Sequence, residues 1–323
     1  MKLGVLTVLY AERPLDEVLD RAVEVGLDAV ELGTGNYPGS DHCDPEALLA
    51  DPDKVHALRK SVESRGLTIS ALSCHGNPLH PDEALARSHH ETWRRTLELA
   101  NALEIDVVNT FSGCPGDGEG ARCPNWITCP WPPEYAETLD WQWNERAIPY
   151  WSEEVERARA LGLRGIGLEM HPGFLVYNPE TLLRLRAAAG DLIGANFDPS
   201  HLLWQGIDVV GAIKELGAAD AIFHAHAKDT YVDERNVRRN GVLDAKGYDR
   251  ISDRAWTFRT VGFGHGEELW KDIVSTLRLV GYDDVLSIEH EDALASRDEG
   301  LEHAVALLKR VLLRQPAGEA WWT

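Results

Sequence analysis

The sequence predicts a single (β/α)8 TIM barrel spanning residues 1–323, and three observations predict it. Short apolar runs alternate with amphipathic helical segments eight times, with no break in composition between them. The last four runs each finish in a polar residue carried on the same face as its counterparts. The first run is not followed by the glycine-rich phosphate turn that an open doubly wound sheet would need.

Taken in order, KLGVLTVL is the first strand, and Pro14 opens an amphipathic helix that stops at Gly26. DAVELGT is the second strand. Its Glu31 opposes Val30 and Leu32, placed either to hydrogen-bond a sugar hydroxyl or to neutralise a basic neighbour. A helix near DPDKVHALRKSVESRG follows, then a third strand, LTISALSCHG, ending at His75. Pro81 begins a long helix, and DVVNTF is the fourth strand, carrying Asn109. His75 and Asn109 are candidates for the floor of a substrate site.

Regularity breaks from Ser112 to about Tyr150, a stretch dense in Gly, Pro and Trp and too long for an ordinary connection. It reads as a lid over the barrel mouth or as a contact with another subunit, with Trp126, Trp131, Trp141 and Trp143 available to stack on a sugar. A second long excursion, after the seventh strand, covers about residues 228–266.

Between and beyond these excursions lie the four runs GIGLEM, IGANFD, AIFHAHAKD and VLSIEHE. Side chains alternate along a strand, so Ile166, Leu168 and Met170 face away from Gly167, Glu169 and His171. The same split sets Asp198 and Glu289 on the polar faces of their strands. Parity does not separate His224 from His226; His226 lies nearer the strand end and is the first choice. Three carboxylates and an imidazole converging on one mouth repel or unbalance one another unless a divalent cation lies between them. The expected ligands are therefore Glu169, Asp198, His226 and Glu289. Hard oxygen donors with one nitrogen suit Mn²⁺ best, with Mg²⁺, Co²⁺ or Zn²⁺ as alternatives. His171, His201 and Lys228 stand close enough to these ligands to touch a substrate, and Glu291 lies further out on the Glu289 face.

Composition narrows the partners. A net charge of −21 disfavours nucleic acid and anionic membranes, whose binding rests on Lys and Arg. A small neutral substrate fits better. Five irregularly spaced cysteines without a CxxC predict reduced thiols and a cytoplasmic location. The N-terminus lacks a signal-peptide cleavage site, and no apolar stretch approaches the ~20 residues of a membrane span.

The ordered motifs Glu169-M-H-P, Asp198-P-S-H, H-A-K-D, G-F-G-H-G and S-I-E-H-E-D resemble the xylose isomerase-like barrels, a superfamily of sugar phosphate isomerases and epimerases. That superfamily also includes inosose dehydratases, ketose 3-epimerases and a type of DNA-repair endonuclease. The resemblance implies that Glu169 and Glu289 both bind the metal and exchange the substrate proton. It further implies that Asp198 and His226 complete the site and that His201 binds substrate. Thr230, Tyr231 and Val232 stand where the ketose 3-epimerases carry an arginine. The W-P-P-E-Y…W-Q-W loop and the R-A-W-T-F-R-T-V-G stretch are similar to a subgroup acting on 3-keto-glycosides, which includes catalytic subunits of C-glycoside deglycosidases. Membership there implies a keto-glycoside substrate, β-elimination, and a homo-oligomer or a hetero-oligomer with a small partner subunit.

Overall fold

A computed structural model describes residues 1–316 together with Gly318, Ala320 and Trp322. Eight parallel strands close the barrel: β1 (Lys2–Leu6), β2 (Ala29–Gly33), β3 (Thr68–Ser73), β4 (Val107–Thr110), β5 (Gly165–Glu169), β6 (Ile193–Phe197), β7 (Ile222–Ala227) and β10 (Val285–Ile288). Strand β1 pairs with both β2 and β10, which completes the ring. Outward residues such as Leu3, Val5, Ile166, Leu168, Ile193 and Leu286 are buried against the surrounding helices. Each such side chain contributes roughly 1.5–3 kcal/mol of apolar burial. The first helix, Leu15–Val25, shows the matching pattern: Val18, Leu19 and Ala22 face inward, and Gly26 ends it at φ 75°. Such a left-handed terminus suits glycine.

The barrel floor is closed by Phe223. The β6–β7 register slips by one residue between Ala195 and Asn196, opposite Ile222 and His224. Phe223, at the slip, clusters with Ala71 and Val107. A β-carbon at Gly165 or Gly194 would lie 2.4 Å from its ring, so both positions depend on glycine.

The two excursions carry structure of their own. After β4, a helix Glu134–Trp141 continues through a π-helical turn, Gln142–Ala147, into a helix Ile148–Ala160. Buried Gln142 holds this segment together, its Nε2 donating to the carbonyl oxygens of Pro115, Gly116 and Asn125. Trp143 is buried, with the Arg184 guanidinium 4.3 Å from its ring centre. After β7, strands β8 (Asp229–Val232) and β9 (Trp256–Arg259) form an antiparallel pair, so the chain has ten strands among the described residues. Trp204 stacks on Trp256 at 4.5 Å, and the Arg254 guanidinium sits 4.4 Å from the Tyr248 ring and 4.6 Å from the Trp256 ring. Asp229 draws this excursion back to the barrel by accepting the backbone N–H groups of Gly262, Gly264 and His265. No described helix is long and apolar enough to cross a membrane. All five cysteines are unpaired; Cys43, Cys74 and Cys114 are buried.

Candidate metal centre

Barrel closure brings together the four strand ends. Glu169 ends β5, Asp198 follows β6, His226 lies near the end of β7 and Glu289 follows β10. Each offers a donor atom within 4.8 Å of the others. The local sequence divides the work of Asp198. Its Oδ1 accepts the Ser200 N–H at 2.8 Å, capping the helix Pro199–Gln205, while its buried Oδ2 has no hydrogen-bond partner. Glu289 Oε2 lies 3.2 Å from His226 Nδ1 and 3.1 Å from Lys228 Nζ, yet makes an aligned hydrogen bond with neither. His75 Nε2, 3.1 Å from Glu169 Oε2, is likewise unaligned. Unpaired polar atoms are expensive to bury, and here they converge. A cation held by three carboxylates and an imidazole would satisfy the two carboxylate oxygens, so the residues fit a divalent metal.

Charge balance in the cluster follows the same geometry. Burial would raise Glu169, but His75 and His201 hold it well below the usual carboxylate range. Burial opposes Glu289 too, and is outweighed by Lys228 and His226, which bring it down to about 2. For Asp198 burial prevails over the opposing charges of His201, whose Nε2 lies 3.4 Å from Oδ2, and of Lys228, and raises it. Burial disfavours the charged form of His226, but Glu31 and Glu289 lift it well above its ordinary value. His171 is pushed down to about 3 by burial and by neighbouring His201, which leaves it neutral.

A cavity of about 560 Å³ opens above the cluster, bordered by His75, Glu169, His171, Lys228, Glu289 and Glu291. His201, in the helix that Asp198 caps, donates from Nε2 to Glu169 Oε1 at 3.0 Å. Lys228 pairs with Glu291 at 2.7 Å and places its ammonium 4.3 Å from the Phe258 ring centre. Of the residues expected to contact substrate, His75, His171 and Lys228 border the cavity, whereas His201 is buried and touches Glu169 instead.

A family model described as the xylose isomerase-like TIM barrel matches residues 19–311. The chain belongs to that family. The uncharacterized protein YfiH of Bacillus subtilis strain 168 is 39% identical over 314 residues, covering 97% of this chain and 99% of its own. The rhizopine catabolism protein MocC of Rhizobium meliloti is 25% identical over 286 residues, covering 88% and 76%. Among solved structures, a D-tagatose 3-epimerase-like protein superposes with a TM-score of 0.63 at 22% identity, covering 96% of this chain and 98% of its own. An L-ribulose 3-epimerase gives 0.62 at 18% identity, covering 96% and 94%. At these identities the two structures speak for a shared fold.

Three expectations need revision. Asn109 does not border the cavity; it is buried beneath the centre, its amide donating to Glu31 and lying 3.2 Å from His224 Nδ1. Glu31 is not open to a sugar hydroxyl: it is fully buried and faces His226, the basic neighbour allowed as the alternative. None of Trp126, Trp131, Trp141 and Trp143 borders the cavity; Trp126 packs edge-on against Tyr177, and Trp143 lies under Arg184. The upper wall comes instead from Tyr248, Ile251, Phe258 and Arg259 of the second excursion and from residues 292–294. His224 lies below His226, where burial lowers it to about 4.

Sequence reasoning also overlooked Asn196, whose Nδ2 donates to Glu169 Oε2 at 3.2 Å. Its signal was present, since it shares the polar face of IGANFD with Asp198. Arg259, whose Nε donates to Asp292 at 3.0 Å, and the aromatic wall carried no comparable local signal.

Proposed function

We propose that this protein is a divalent-metal-dependent sugar isomerase or epimerase, in which Glu169, Asp198, His226 and Glu289 hold the metal. The carrying observation is that Asp198 Oδ2 and Glu289 Oε2, neither of which has a hydrogen bond, lie within 4.8 Å of each other and of donor atoms of Glu169 and His226 beside a cavity. When bound, the cation would stabilise negative charge developing on a sugar oxygen beside the reacting carbon. Mn²⁺ is the expected ion, with Mg²⁺, Co²⁺ or Zn²⁺ as alternatives.

The chain's own groups do the proton work. Glu169 and Glu289 both border the cavity and both stay ionised, so either can accept a proton from a carbon next to a carbonyl. His201 and His75 orient Glu169 from opposite oxygens, while Lys228 restrains Glu289. Return of the proton on the opposite face of the carbon gives an epimer; its return to the neighbouring carbon gives an isomer. His171, held neutral, and Lys228, held charged by Glu289 and Glu291 despite burial, are placed to bind substrate oxygens.

A second reading is favoured by the cavity itself. At about 560 Å³ it lies in the middle of the range for drug-sized ligands, above the needs of a free hexose. Its rim includes the exposed side chains of Tyr37, Tyr248 and Leu294. A 3-keto-glycoside with an apolar group would fill it, and loss of the same proton would then expel that group by β-elimination. Incubation in D₂O with Mn²⁺ and a panel of ketoses and 3-keto-glycosides separates the readings. Deuterium at a retained stereocentre or its neighbour supports epimerisation or isomerisation, and release of the appended group supports elimination. No deuterium incorporation and no product from any member of the panel would refute both.

A further inference from the structure

Below the proposed metal ligands, a second set of potential donors, Glu31, His224 and His226, is wholly buried. Two features set it apart from the set above. The Glu31 carboxylate is already saturated: Oε1 accepts from Ser73 Oγ and from Asn109 Nδ2 at 2.8 Å, and Oε2 accepts from Ser287 Oγ at 2.7 Å. His226 Nε2 adds contacts at 3.1 and 3.0 Å to the two oxygens. A carboxylate offers about four acceptor positions, so nothing remains on Glu31 for a cation. In contrast, Asp198 Oδ2 and Glu289 Oε2 above have no hydrogen-bond partner.

The two sets share one residue, His226, and they engage opposite sides of its ring. Nε2 faces Glu31, whereas Nδ1 lies 3.2 Å from Glu289 and 3.6 Å from Glu169. We infer that Glu31 is a positioning residue for the metal centre, resting on the reading of Glu169, Asp198, His226 and Glu289 as the ligands. By accepting the Nε2–H, it leaves Nδ1 as the nitrogen that gives up its proton to the cation, aims that atom's lone pair at the cation and fixes the plane of the ring. A carboxylate behind a ligating histidine also makes the imidazole a stronger donor. Glu31 is itself held by donors from three further strands: Ser73 on β3, Asn109 on β4 and Ser287 on β10. The lower set is therefore the support of the upper one and takes no ion.

The test is Mn²⁺ binding by calorimetry to the wild-type protein and to Glu31→Gln, with metal-free thermal unfolding of both as a control. Gln preserves shape but removes the anion. Mn²⁺ affinity is expected to fall by about 10–100-fold, the usual effect of losing such a partner. Ser287→Ala, which removes one donor to Glu31, should weaken binding less. A second measurement uses the wild type alone: ¹⁵N-histidine spectra of the Zn²⁺-loaded protein should show His226 coordinated through Nδ1 and protonated at Nε2. Coordination through Nε2 would overturn the inference even if Glu31→Gln failed to fold. Unchanged Mn²⁺ affinity in a folded Glu31→Gln would overturn the role of Glu31 alone. Failure of the wild type to bind Mn²⁺ would overturn the metal reading and this inference with it.

Discussion

Asp198→Asn separates the two jobs of one side chain. In the native protein Oδ1 caps the helix Pro199–Gln205, while Oδ2, free of hydrogen bonds though 3.4 Å from His201 Nε2, lies among the proposed ligands. Asn is as good an N-cap as Asp, so the cap survives, whereas Ala at this position forfeits about 1 kcal/mol. Asn also removes a buried carboxylate that burial already disfavours. The metal-free Asp198→Asn protein should thus unfold at or slightly above the wild-type temperature, and Asp198→Ala a few degrees below it. The cation response should run the other way. At a Mn²⁺ concentration 100 times the wild-type Kd, ligand linkage stabilises the wild type by about 2.7 kcal/mol. Losing a direct ligand should weaken binding by at least the ~10-fold lower bound for losing an outer partner. At the same Mn²⁺ concentration, at most about 1.4 kcal/mol of stabilisation then remains. Thermal unfolding with EDTA and with Mn²⁺, run on all three proteins, reads both effects. Equal Mn²⁺-induced shifts in wild type and Asp198→Asn would refute the assignment of Oδ2 to the metal.

Two further outcomes follow from the same geometry. At saturating Mn²⁺, Glu169→Gln and Glu289→Gln should each lower solvent-proton exchange into substrate by about a hundredfold or more, since each loses a positioned base. Loss in only one variant would indicate a single base, and near-normal exchange in both would move the base to His201 or His171. Metal loading should weaken in acid, because His226 is held protonated well above its ordinary 6.5 by Glu31 and Glu289 and must surrender its Nδ1 proton to bind. Calorimetry in buffers of different ionisation heat should detect about one proton released per Mn²⁺ near neutral pH, and affinity independent of pH from 6 to 8 would contradict this.

The second excursion shows where local reasoning stops. Its arginines and aromatics were visible as composition, but the β8–β9 pair, the Trp204–Trp256 stack and the Phe258 wall depend on residues far apart in the chain. Residues 112–150 make the complementary point. Four tryptophans in a long loop suggested a lid or a subunit contact; none borders the cavity, Gln142 gathers three backbone carbonyls of that loop, and Trp143 packs under Arg184.

By itself, the sequence determined the barrel class, the strand ends and the polar face of each strand that carries a proposed ligand. It could do so because alternation and helix periodicity are local properties, readable within a few residues of Glu169, Asp198, His226 and Glu289. The tertiary structure alone decided which nitrogen of His226 faces the other ligands, because that depends on Glu31 reaching it from β2 across the closed barrel. It also decided that Asn109 supports the centre from below and that the cavity wall is built by β9 and residues 292–294. Those relations arise from closure and loop docking, which join residues through space with no spacing along the chain to announce them.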